Sequence, residues 1–509
     1  MVFNSILFNQ ETIKNEDIEQ SSFFKDLNLD QVIEAIIHYK KDYNIKPYFY
    51  TPLHDYKLIE FRTEIMKNLE DPELSKIFEQ FSQKMIVVNR YLKLIEKLDF
   101  PYHKKGWYLD TILTYCTAIT NLTNNLDKID LNARGLLELH QYIKDCTKSD
   151  SFIQLFTNAT QIKNDLLAIR YCVNVQHGSF SVRKYDEEVD YSIEVLQTFN
   201  KFRQGAVKDY KVNLFNRGGM NHIEAKILDF VVRLFPKPFQ DLVTFCDQFP
   251  TFMDEKIIRF DLEIQFYLAY LQFINRIKDK GLNFCYPLLS TTKKEIYDYN
   301  GFDIALALKY LHSENKIICN DFSLSERERI IVVSGPNQGG KTTFARMFGQ
   351  LHYLTRLGCP IPGTKAKIFL SDKIFTHFER EEDVATLHGK LQEELVRIHT
   401  ILSESTSNSI VIINEIFTST TLDDAIFLSK EILAKLSELD LFCVIVTFID
   451  ELSRLGPNTV SMVSSVVPET PTLRTFKVIR KNADGLAYAL AIAKKHRLTY
   501  DQIKERITS

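Results

Sequence analysis

The stretch Gly335-Pro-Asn-Gln-Gly-Gly-Lys341-Thr342 constrains this 509-residue chain more than any other. The pattern Gly-x-x-x-x-Gly-Lys-Thr needs a strand before it and a helix after it, because backbone N–H groups at a helix start must converge on one anion. The apolar run Ile330 to Val333 supplies the strand, and Thr343-Phe-Ala-Arg-Met-Phe348 is a good helix start. In this reading Gly335, Pro336, Asn337, Gln338, Gly339 and Gly340 cradle phosphates with their backbone, and Thr343 continues that wall. Lys341 places a positive charge at the outer phosphates, and the Thr342 hydroxyl is a Mg²⁺ ligand. The implied ligand is a nucleoside triphosphate with Mg²⁺, ATP first among them.

A second element is expected farther along, an apolar strand ending in carboxylates, one for the Mg²⁺ shell and one to orient attacking water. Ser409-Ile-Val-Ile-Ile-Asn414-Glu415 takes that place. The metal-side position is Asn414, which keeps an acceptor oxygen without the charge, and Glu415 is the candidate catalytic base. Charge-assisted hydrogen bonds are about twice as strong as neutral ones, so weakened Mg²⁺ organisation is expected and lost nucleotide binding is not.

The length favours a multi-domain protein of roughly two to four units. From about Gln31 to Lys280 apolar residues recur at three- and four-residue spacing, which predicts a long helical region, broken at Asp71-Pro72. Ile257 to Ile277, closed by Lys280-Gly281, is apolar on more than one face and predicts a helix packed on several sides, or a dimer contact. Gln176 to Lys184 and Asn216 to Met220 read as loops. Arg183, Lys184, Lys201, Arg203, Lys208, Lys211 and Arg217 scatter positive charge nearby, which fits either a solvated surface or phosphate contacts. After Phe284-Cys-Tyr-Pro287 short β-branched runs (Ile330 to Val333, Ile410 to Ile413, Phe442 to Val446) alternate with helical stretches. The expected fold is therefore α followed by α/β, with residues 1–284 helical and residues 285–509 a P-loop domain.

Composition excludes several classes. With 45% hydrophobic and 25% charged residues the chain is of globular type, and 17 Gly with 14 Pro leave no room for a long linker tract. The net charge of -3 provides no overall attraction to nucleic acid. The eight cysteines form no Cys-x-x-Cys pair and read as free, buried thiols in a reducing compartment. No apolar run is long enough for a bilayer and the start has no basic flank, so the expected setting is cytoplasmic, without a membrane partner. The twelve histidines show no metal-ligand spacing such as His-Glu-x-x-His.

The loop, with Pro336-Asn337 inside it, resembles the ATPase of the MutS mismatch-repair family. The likeness continues in Asp372-Lys-Ile-Phe-Thr376, in Glu415-Ile-Phe-Thr-Ser-Thr-Thr421 and in Asn320-Asp-Phe-Ser-Leu-Ser325, covering most of residues 285 to 509. It implies an ABC-like domain that dimerises head to tail and completes each nucleotide site with a signature segment from the partner. The matching segment here is His388-Gly389-Lys390-Leu-Gln-Glu-Glu394, which implies Gly389, Lys390 and Glu394 as residues acting in trans. It opens a helix whose buried stripe is expected to be Leu387, Leu391, Leu395, Ile398 and Leu402. Ile317 and Ile318 fall where the family cradles adenine, and an aliphatic pair there equally suits strand core. Ile318 is the candidate base contact.

Two departures bear on mechanism. The family's signature serine falls on Gly389, and its Thr-His switch pair falls on Thr447-Phe448, where the ring cannot hydrogen-bond a γ-phosphate. Slow or partner-dependent hydrolysis is the expectation. The first 280 or so residues resemble the family's core and lever helices with a reduced clamp. A mixed α/β mismatch reader with a Phe-x-Glu motif is not found there, and Phe24 of Phe23-Phe24-Lys25-Asp26 reads as a helix-docking residue. Asp484 to His496 resembles the small helical end of the family's ATPase. The resemblance implies an ATP-gated clamp on DNA, assembled as a homodimer. An ATP-binding structural module with little hydrolysis, and a clamp on a protein partner, stay open beside it.

Overall fold

A computed structural model describes residues 3–8, 22–187, 219–379, 389–467, 470–483, 498–500 and 503–504. Packing divides the chain into two compact units, one of residues 1–3, 72–131 and 137–261, the other of residues 4–71, 132–136 and 262–509. This division differs from a single cut near residue 284, because residues ahead of Pro72 are bonded into the second unit. There Glu263 accepts from Ser5 Oγ at 2.8 Å and from the Ile6 amide at 2.9 Å, while Tyr267 donates to the Ile6 carbonyl at 2.6 Å. Arg62, fully buried, donates to the Leu7 carbonyl at 2.9 Å. Phe24 is buried against Tyr50 and Tyr353, the docking role expected of it.

The first unit is mostly helical. Pro72–Glu96 begins right after Asp71, as a proline at a helix start should, and packs along Pro101–Leu126. Ser149 caps Asp150–Leu167, and Asn221 with Glu224 forms a capping box on His222–Leu234. One correction falls here: residues 176–184 are not a loop. Tyr171–Gln176 and Ser179–Lys184 pair antiparallel around His177 and Gly178, the latter at φ +78°. Directly opposed residues share a face, so Val173 with Val182 and Val175 with Phe180 line one side, a period of two overshadowed by the turn residues. Of the scattered cations, Arg183 and Lys184 lie on this hairpin, and Lys201, Arg203, Lys208, Lys211 and Arg217 lie outside the described residues.

The second unit mixes helices and sheets, built on six strands: β1 (Ile330–Ser334), β2 (Ile374–Phe378), β3 (Ile410–Asn414), β4 (Phe442–Val446), β5 (Thr459–Val467) and β6 (Thr470–Arg480). Their order is β2-β3-β4-β1-β5-β6, parallel except for the antiparallel pair β5 and β6. Helices α1 (Lys341–Arg356), α2 (Lys390–Glu404) and α3 (Leu422–Glu438) cover it. Val332, Val411, Ile413 and Ile445 pack with Ile398 and Ile401 of α2 and Ile432 and Leu436 of α3. On the other face α1 comes so close that a Cβ on Gly349 would sit 2.6 Å from Ile412. Burial on both faces explains why these parallel strands are continuous apolar runs, not alternating ones. A second sheet runs Leu288–Ser290, Lys365–Phe369, Ile296–Gly301, Asn320–Leu324.

Glu255–Lys278 is the expected apolar helix, with Phe266 to Leu271 all buried in succession and Gly281 at φ +80° closing it. All eight cysteines are free, four of them buried and four half-buried. Among the described residues no helix is long and apolar enough to cross a membrane.

Candidate functional site

The carboxyl ends of β1, β3 and β4 lie side by side, the position where open parallel sheets place their ligands. Each end carries one of the chemically marked residues. From β1 the chain turns through Gly335 at φ +118° and Gln338 at φ 58°, and enters α1 from Gly340 at φ 94°. No side chain caps α1, so its first N–H groups are left for a ligand. The loop lies close against β5: a Cβ on Gly335 would meet the Ser464 carbonyl at 2.9 Å, and Ser464 Oγ donates to the Gly339 carbonyl at 2.5 Å. Arg474 of β6 donates to the Asn337 carbonyl at 3.2 Å.

The Lys341 ammonium turns back into the loop. It donates to the carbonyls of Gly335 (3.1 Å) and Pro336 (3.2 Å) and to Asn337 Oδ1 (3.4 Å), and the Phe448 ring centroid lies 4.2 Å away. Burial lowers its pKa, opposed by the charge of Glu415. Thr342 Oγ1 donates to Asn414 Oδ1 at 2.8 Å, so the two expected metal-side oxygens meet. Glu415 follows at φ 57°, its amide bonded to the Val446 carbonyl of β4 at 2.9 Å. Burial raises its carboxyl pKa, Lys341 pulls it down and Glu379 pushes it up.

Beside the loop lies a cavity of about 530 Å³, walled by Asn337 to Thr343 and Glu415 on one side and by Tyr310, Ile317, Ile318 and Asn320 on the other. Ile318 is exposed into this space. Phe476 closes it, at φ 57° in β6, with its carbonyl accepting from Asn320 Nδ2 at 3.3 Å while Asn320 Oδ1 accepts from the Val478 amide at 2.7 Å. Sequence reasoning missed Phe476, Arg474 and Ser464, which reach the loop from strands more than a hundred positions downstream. The first unit holds a cavity of similar size, about 520 Å³, lined by Trp107, His103 and the Lys163–Asp110 pair among apolar residues. Its carboxylates are Asp110, paired with Lys163, and Glu224, tied into the capping box of His222–Leu234.

The Gly389 to Glu394 segment is placed apart from that cavity's lining. Gly389 precedes α2 at φ -67°. Lys390 pairs with Glu379 at 2.6 Å, and the Glu394 carboxylate, buried, accepts from the Phe417 amide at 3.0 Å within the same chain. The stripe on α2 therefore differs from expectation: Leu395 is exposed, and the buried positions are Glu394, Ile398 and Ile401 with Leu391 and Leu402 half-buried. The hydrogen bond from the Phe417 amide satisfies a carboxylate oxygen that is buried at this position. Leu387 and His388 lie outside the described residues.

The family model for MutS domain V matches residues 331–506, a stretch that includes the loop, β2, β3, α2 and β4. The chain is 31% identical over 131 residues to the DNA mismatch repair protein MutS of Prochlorococcus marinus (strain AS9601), covering 25% of this chain and 14% of that protein. It is 30% identical over 196 residues to the DNA mismatch repair protein MutS of Rickettsia akari (strain Hartford), 37% of this chain and 22% of that protein. With the protein of the same name from Fervidobacterium nodosum it is 29% identical over 185 residues, 35% of this chain and 22% of the relative. The match thus spans less than a quarter of each relative's length. Residues 331–506 of this chain are thus similar to MutS domain V.

Proposed function

We propose that the chain binds ATP with Mg²⁺ and hydrolyses it slowly, and that nucleotide state gates a dimeric clamp on DNA. The observation that carries this reading is the convergence of Lys341, Thr342 and Glu415 on one cavity, with Asn414 bonded to Thr342, at the carboxyl ends of β1 and β3 on either side of β4. In it the α1 amides and Lys341 bind the phosphates, and Ile318 and Phe476 face the base across the cavity. Glu415 orients a water and takes its proton, helped by a carboxyl pKa that burial raises.

The residues fit a hard cation: Thr342 and Asn414 offer two oxygens, the donor type Mg²⁺ takes, with substrate and water oxygens for the rest. When bound, Mg²⁺ neutralises charge on the outer phosphates. Among the described residues no group of three His, Cys, Asp or Glu gathers, which suits a metal carried in with its nucleotide.

The DNA partner rests on the similarity to proteins named DNA mismatch repair protein MutS. Asn414 favours a second reading, an ATP-binding module with hydrolysis nearly lost, because a neutral amide stands where a charge would organise the metal. Single-turnover hydrolysis with and without duplex DNA, together with salt-dependent DNA binding, separates the two. On the first reading Glu415→Gln slows turnover by about 100-fold or more while nucleotide affinity holds. Turnover unchanged by that substitution removes Glu415 as the base.

A further inference from the structure

The Lys341 ammonium has three donors, and three oxygens of its own loop accept them. A fourth partner comes from elsewhere. Phe448 stands just past β4, pinned on both sides: the Thr447 amide donates to the Val333 carbonyl at 3.1 Å, and Thr447 Oγ1 accepts from the Ile449 amide at 3.0 Å. Its ring is half-exposed yet lies 4.2 Å from the ammonium, inside the range where a π face attracts a cation. Phe448 does not line the cavity that would take the nucleoside, so its influence is confined to the phosphate end.

Resting on the nucleotide reading, we infer that Phe448 is a latch on Lys341 that discriminates against the third phosphate. An outer phosphate draws the ammonium away from its carbonyls and from the ring, so a triphosphate works against the cation–π contact. A diphosphate, with one phosphate fewer to draw on the ammonium, needs less of that displacement and is bound with a smaller penalty. The ring thereby shifts the nucleotide preference toward the product of hydrolysis. The burial that lowers the Lys341 pKa makes this contact matter more, because few waters compensate for it.

The test compares wild type, Phe448→Leu and Phe448→Trp in the full chain. Dissociation constants are measured for a fluorescent diphosphate and a non-hydrolysable triphosphate, both with Mg²⁺. Leu removes the π face at similar bulk and is expected to tighten the triphosphate about 5-fold, leaving the diphosphate within about twofold. Trp, the strongest π face, is expected to weaken the triphosphate. Equal shifts for both nucleotides, no shift, or Leu and Trp moving the triphosphate the same way each overturn the latch. If wild type and variants unfold cooperatively yet bind neither nucleotide, the nucleotide reading itself fails and takes the latch with it.

Discussion

Two glycine–lysine steps open helices in the second unit, and they behave differently. At Gly340-Lys341 the glycine is left-handed and the lysine points into a loop bordering a cavity. At Gly389-Lys390 the glycine is in ordinary extended geometry, and the lysine is already paired with Glu379. The same dipeptide at the same place in a helix borders a cavity in one case and makes an ion-paired joint in the other. What separates them is the strand in front: β1 ends among the carboxyl ends of β3 and β4, and its loop is braced by Ser464 and Arg474.

The largest test of that contrast is Lys341→Ala against Lys390→Ala. The first is expected to weaken nucleotide binding about 100-fold, as removal of a charge-assisted contact should, and the second to change it by less than about twofold in the monomer. Equal losses, measured by titration with a fluorescent nucleotide at low protein concentration, break the comparison. A trans role for Lys390 instead appears as a loss only at concentrations where the chain dimerises.

Glycine substitution sharpens it next. Gly335→Ala puts a Cβ 2.9 Å from the Ser464 carbonyl at φ +118°, and is expected to cost about 1–3 kcal/mol in thermal or denaturant unfolding. Gly389→Ala meets no described atom within 4 Å and is expected to stay within about 0.5 kcal/mol. Below the Gly335 effect, Glu394→Ala leaves the Phe417 amide without its acceptor and is expected to cost about 1–2 kcal/mol, with Glu394→Gln costing less because an amide oxygen can still accept. A Gln variant as unstable as the Ala variant shows that charge, not the hydrogen bond, is what the site uses.

The elements legible in the sequence are those whose signal is local. Ile330 to Val333, Ile410 to Ile413 and Phe442 to Val446 are buried on both faces, so each announces itself as an apolar run, and the loop motif follows the first of them. Phe476, Arg474 and Ser464 carry no such mark. They arrive through the pairing of β5 with β1 and of β6 with β5, a relation between distant segments that no spacing within the loop encodes. On α2 the apolar spacing pointed to Leu395, but Glu394 turned inward to serve a backbone amide 23 positions away. In the first unit the turn chemistry of His177-Gly178 hid the period-two alternation on either side of it.

The bond from Phe417 to Glu394 also limits what Glu415 can do. Its own amide is tied to Val446, and two residues later the chain is tied again to Glu394, with positive φ at both Glu415 and Phe417. A backbone tied at both ends of one turn resists carrying the carboxylate with it. The readiest freedom left is torsion about the side chain's own bonds, so the place of the Glu415 carboxylate is a choice among rotamers.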